Sequence, residues 1–154
     1  MTQEQSQLIQ NWIEDAKILL KCYLSEADKL RRRHRIIGIV SAVLSGIVGS
    51  SIFASLGKQE LNPELVILVG LTSLSATILA SIMAFLKLPE IANQCHNSGN
   101  QYAEIRKELE LLATFNENKN MESEIKRIEA KWNNIRNSST PVSDKKMKKF
   151  KRKL

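Results

Sequence analysis

Ile36–Leu56 reads IIGIVSAVLSGIVGSSIFASL, Leu65–Leu86 reads LVILVGLTSLSATILASIMAFL, and neither contains a charged residue. The chain has 154 residues with 23 Lys+Arg and 16 Asp+Glu, and every one of those charges lies outside the two stretches. A helix over Ile36–Leu56 rises about 32 Å, which matches a hydrocarbon core of about 30 Å. Eleven of its residues are Ile, Val, Leu or Phe, and thirteen of the 22 in Leu65–Leu86 are large and apolar. At roughly −0.3 to −0.6 kcal/mol for each Leu, Ile, Val or Phe, both runs are expected to insert in a bilayer despite their Ser, Thr and Gly. The mean hydropathy of −0.22 hides this segregation. A globular fold with a charged face along every helix is excluded, and 5% aromatic content with 3 prolines argues against a β-sandwich or a Pro-rich disordered chain.

Residues 57–64, from Gly57 through Asn62-Pro63-Glu64, join the two runs. Gly57 is a helix stop and Asn62-Pro63-Glu64 a helix start, and so short a link forces an antiparallel hairpin. Arg31, Arg32, Arg33 and Arg35 precede the first run and Lys87 follows the second, whereas the link holds only Lys58 as a basic residue. The positive-inside rule therefore places both termini in the cytoplasm and residues 57–64 outside. The 35 residues before the first run carry five acids, and the run is longer than a signal peptide's 7–15 apolar residues, so no cleaved signal is expected. Cys22 and Cys95 then lie on the reducing side, with neither a disulfide framework nor a zinc pattern.

In lipid, helices associate through close packing and polar side chains. At 100° per residue, Gly70, Ser73, Thr77, Ala80, Ser81 and Ala84 share one side of the second run, and large apolar residues cover the other. In the first run Gly38, Ala42, Gly46 and Ser50 form a small-xxx-small ridge, with Ser41, Ser45, Ser51 and Ser55 beside it. These residues are candidates either for helix packing, with hydroxyls bonded to carbonyls one turn earlier, or for the lining of a pore assembled from several hairpins. No ionisable residue lies inside either run, which argues against a proton-coupled transporter or a voltage sensor.

Outside the membrane, Ile9, Trp12, Ala16, Leu19, Tyr23, Ala27 and Leu30 recur at intervals of 3 and 4. Ile91, Cys95, Ser98, Tyr102, Ile105, Leu109 and Leu112 do the same, and after a break at Asn116–Asn120 so do Met121, Ile125, Ile128, Trp132 and Ile135. The three seams predict one cytoplasmic coiled-coil-like bundle, within a protomer or between protomers. Leu30–Ile36 contains neither Gly nor Pro, so the first helix is expected to run into the first span without a break. Lys145–Leu154 holds seven basic residues (Lys145, Lys146, Lys148, Lys149, Lys151, Arg152 and Lys153) with Met147, Phe150 and Leu154 at i, i+3, i+7. It reads as a solvated tail held near anionic lipid or as a short interfacial basic helix. Nucleic acid is not expected as a partner, since the tail has one aromatic residue and no recognition fold.

No nucleotide-loop, nucleophile-elbow or metalloprotease motif occurs, and Cys95 and His96 point about 100° apart on a helix. No enzyme activity, metal or cofactor is expected.

The layout of a Trp-bearing helix, a basic stretch, a two-span hairpin and the segment Cys95–Leu109, with a loose His96-x5-Tyr102 pattern, resembles the SLATT domain over about residues 8–136. That family is a bacterial two-span module found beside nucleotide-second-messenger synthases, LOG proteins and reverse transcriptases. The resemblance implies an all-α membrane protein of the bacterial inner membrane: a pore-forming effector of antiviral, abortive-infection type defence. It also implies a homo-oligomer gated through its cytoplasmic helices, with a separate signal-generating partner such as a nucleotide synthase or reverse transcriptase. Trp12, Tyr23, His34, His96, Tyr102 and Trp132 are the expected gating residues. Two other readings remain open: a phage holin, and a passive scaffold that recruits a reverse transcriptase or nucleotide cyclase. The expected organisation is an amphipathic helix (1–35), a span (36–56), an external loop (57–64), a span (65–86), a helical bundle (87–136) and a basic tail (137–154).

Overall fold

A computed structural model describes residues 3–55, 63–114, 121–142 and 144–152. It is all-helical: α1 (Gln3–Ser55), α2 (Pro63–Leu86), α3 (Leu88–Thr114), α4 (Met121–Ser138) and α5 (Asp144–Lys151), with no strand among the described residues. The link 57–64, apart from Pro63 and Glu64, and the expected break at 116–120 lie outside the described residues. The chain divides into two compact units, one made of Met1–Lys29 and Glu90–Leu154, the other of Leu30–Pro89.

The first unit is a helical bundle closed within the chain. Ser98 of α3 meets Ser139, just past α4, and Glu108 of α3 meets Arg127 of α4, so these two helices run antiparallel. Trp12 lies beside Trp132 and Tyr23 reaches Thr140, so α1 runs alongside α4 in the same direction. Between them the core buries Ile9, Ala16, Cys22, Tyr23 and Ala27 from α1. From α3 come Cys95, Tyr102, Ile105, Leu109 and Leu112, and from α4 Ile128 and Ile135. Each large aliphatic side chain buried in this way contributes about 1.5–3 kcal/mol. Ile18, Cys22, Ala92 and Gly99 are buried although no seam included them. At Gly99 α3 passes close to α1: a methyl group there would lie 3.1 Å from Leu24 Cδ2. Glu122 and Glu124 in the first turn of α4, and Arg136 in its last, complement the helix dipole.

In the second unit, α1 continues to Ser55 and α2 packs beside it, with a methyl at Gly38 meeting Met83 Cε at 3.5 Å. Half-buried positions recur as His34, Ile37, Ser41, Leu44 and Val48 on α1 and as Val69, Thr72, Ala76, Leu79 and Met83 on α2. The 3-4 spacing on both helices is that of a coiled-coil seam. Of the small ridge and its described neighbours only Gly38 and Ser41 are half-buried, while the small face of α2 is exposed. At the far end of α2, Lys87 adopts φ 41° and separates α2 from α3. Pro89 explains the break, since its ring would clash with the carbonyl four residues earlier in a continuous helix. A left-handed conformation at a residue with a Cβ costs about 1–2 kcal/mol.

Candidate functional site

Two sets of residues stand out: the outer surface of the α1–α2 pair, and a ladder of aromatic rings in the bundle. The pair exposes Ile36, Ile39, Val43 and Ile47 on α1, and Ile67, Leu68, Leu71, Leu74 and Ile78 on α2, with Phe85 92% exposed. A large exposed apolar patch of this kind marks an interaction surface, for a membrane or for another protein. Among the described residues one helix is long and apolar enough to cross a membrane; its most apolar window, within Val66–Thr114, has mean hydropathy 2.1 and none of it is buried. That window falls in α2, since Lys87 ends the helix and α3 is charged.

The small and hydroxyl residues lie on this outer surface. Ala42, Ser45, Gly46 and Ser50 on α1 and Gly70, Ser73, Thr77, Ser81 and Ala84 on α2 are exposed, while Gly38 and Ser41 are half-buried against α2. Nothing approaches within 4 Å of a methyl placed at Gly46 or Gly70. The side chains of Ser51 and Ser55 lie outside the described residues. Several hydroxyls bond back into their own helices. Ser50 donates to the Gly46 carbonyl at 2.8 Å, Thr77 to the Ser73 carbonyl at 2.9 Å and Ser81 to the Thr77 carbonyl at 2.9 Å. Thr72 and Ser75 bond in the same way. With its proton held by a carbonyl, each hydroxyl shows the outside only lone pairs, so the cost of facing lipid is low and the face still accepts bonds from water or a neighbouring helix.

In the bundle, the Tyr23 and Tyr102 rings stack at 5.6 Å, Tyr102 meets Trp132 edge-on at 5.3 Å, and Trp132 lies 6.3 Å from Trp12. The ladder thus joins α1, α3 and α4. Tyr23 and Tyr102 are buried, whereas Trp12, Trp132 and His96 are half-buried. Burial pushes the Tyr102 phenol up to about 12, helped by Tyr23 beside it, and burial also raises Tyr23 and the Cys95 thiol. Below the ladder Glu108 holds Lys131 at 2.7 Å and Arg127 at 3.3 Å, pinning α3 to α4. Sequence periodicity marked all four aromatics but not the polar clasp above them, where Ser139 donates to Ser98 at 2.9 Å. That clasp uses a residue beyond the last helical turn, where no periodic signal exists.

His34 stands apart, half-buried on the α1–α2 seam with a buried Nδ1 that has no hydrogen-bond partner. Arg31, Arg32, Arg33 and Arg35 around it are exposed, as are Lys148, Lys151 and Arg152. Lys153 and the side chains of Lys145, Lys146 and Lys149 lie outside the described residues. No group of three or more His, Cys, Asp or Glu among the described residues is placed to hold a metal ion.

No family model matches the chain, and no match is found among curated proteins or solved structures.

Proposed function

We propose that this chain is a membrane-embedded, homo-oligomeric effector that opens a pore in the bacterial inner membrane as part of an antiviral defence response. In this reading α1 and α2 both span the bilayer as an antiparallel hairpin, with both termini cytoplasmic. The observation that carries it is the exposed, charge-free surface of the helix pair, on which small and hydroxyl residues form a side that the α1–α2 seam leaves unused. Several hairpins meeting through that side would enclose a lining of uncharged oxygens. The resemblance of the sequence to the SLATT domain supports the defence role and a separate partner that generates the signal.

Gating runs along α1, because residues 3–55 form one helix without a break. A partner or ligand that binds the bundle better in one packing than another shifts the equilibrium by that difference in affinity. Trp12, Tyr23, Tyr102 and Trp132 form the joint that such a shift would repack. The test is membrane depolarisation on induction, with and without a co-expressed signalling partner. Gly46→Leu and Ser73→Leu, which crowd the small faces without touching the seam, should abolish it at equal expression. Undiminished depolarisation in both variants would contradict the pore reading. Liposomes that never pass ions, with any partner present, would return the protein to a scaffold role.

A further inference from the structure

The tail forms a helix, and that helix has a place to sit. In α5, Met147 and Phe150 are half-buried at i, i+3, while Lys148, Lys151 and Arg152 are exposed. Lys151 lines a cavity of about 780 Å³ together with Glu14 and Asp15 of α1 and Glu110 of α3. Lys17 and Arg106 also contribute to its wall, but Arg106 is taken up by Glu110 at 2.7 Å. One cation of the tail thus faces a wall with exposed carboxylates on α1, while Lys148 and Arg152 do not line it.

We propose that α5 is a latch read by the membrane surface: it docks on the α1–α3 groove away from anionic lipid and leaves the groove for an anionic bilayer. The inference rests on the membrane reading given above. The comparison of the two sites favours it. In the groove the helix is only half-buried and offers one described cation to the carboxylates. At an anionic surface all seven basic residues of Lys145–Leu154 contribute, each strengthening binding by about fivefold near the surface. Met147 and Phe150, freed together, form the apolar side that such a helix lays into the headgroup boundary. Release of α5 takes Lys151 away from Glu14 and Asp15 on α1.

Spin labels at Gln10→Cys and Lys148→Cys in the full-length protein report the docked state, since the native Cys22 and Cys95 are buried. The protein is reconstituted in neutral phosphatidylcholine vesicles and in vesicles containing phosphatidylglycerol. The expected result is a short, narrow label distance in neutral vesicles and its loss in anionic ones, with recovery at about 1 M salt, where the Debye length is about 3 Å. Glu14→Gln with Asp15→Asn should move the loss to a lower anionic fraction. Identical distance distributions in both vesicle types overturn the latch. A chain that fails to float with either vesicle type overturns the membrane reading itself.

Discussion

The Tyr23 hydroxyl donates to the Thr140 carbonyl oxygen at 3.1 Å, linking α1 to the segment after α4 across 117 residues of sequence. Ser139 bonds the buried Ser98 beside it, so the end of α4 is held to both α1 and α3. Tyr23→Phe keeps the ring stacked on Tyr102 and removes the hydroxyl's bonds to Thr140 and Ser139. A loss of about 1 kcal/mol is expected, read as a lower denaturation midpoint of the detergent-solubilised protein. An unchanged midpoint would show that the clasp does not hold the bundle.

Tyr102 gives the bundle an alkaline limit. Its phenol stays protonated up to about pH 12 in the folded chain because burial opposes the phenolate, while the unfolded chain ionises near 10. Protons are therefore bound more tightly by the folded state, and stability is complete below about pH 10 and falls as pH rises towards about 12. The loss from this group is on the order of 2–3 kcal/mol. Tyr102→Phe should flatten the decline between about pH 10 and about pH 12, leaving the part due to Tyr23 and Cys95, which burial also raises. Denaturation midpoints across that range check it.

Gly99 tests the closeness of α1 and α3. Cβ at this position would sit 3.1 Å and 3.2 Å from Leu24 Cδ2 and Cγ and 3.4 Å from Tyr23 Cβ. Valine adds two methyls in that space, and overpacking of this kind costs about 1–3 kcal/mol. Gly99→Val should therefore lower the denaturation midpoint, while Asn100→Val, at an exposed neighbour, should change it much less.

These residues also show what the sequence discloses. Tyr102, Ile105 and Leu109 stand out as a seam because charged neighbours such as Glu104, Arg106 and Glu108 supply contrast. In α2 nearly every residue is apolar, so hydrophobic periodicity carries no information about which side meets α1. The small residues Gly70, Ser73 and Thr77 stand out by chemistry, but the half-buried positions are Val69, Thr72, Ala76, Leu79 and Met83. Gly99 and Ala92 were missed for a related reason, as small buried residues do not register as apolar knobs. The tail left two conformations open, and the choice of helix goes with the half-burial of Met147 and Phe150.

His34 offers a test on the seam of the second unit. Its buried Nδ1 lacks a partner, and an unsatisfied buried polar atom costs about 1–3 kcal/mol. His34→Leu removes that atom while keeping most of the volume, and is expected to be neutral or stabilising by about 1 kcal/mol. His34→Ala should destabilise instead by opening a cavity. Thermal denaturation in detergent separates the two; a clear loss in the leucine variant would mean that Nδ1 has a partner in the assembled protein.

On the proposed reading the exposed apolar surface of α1 and α2 lies in lipid. Extraction of cell membranes with alkaline sodium carbonate tests it most directly. An integral hairpin stays in the membrane pellet, and this chain is predicted to do so in full. Release of the chain into the supernatant would show that the helix pair is not embedded in the bilayer.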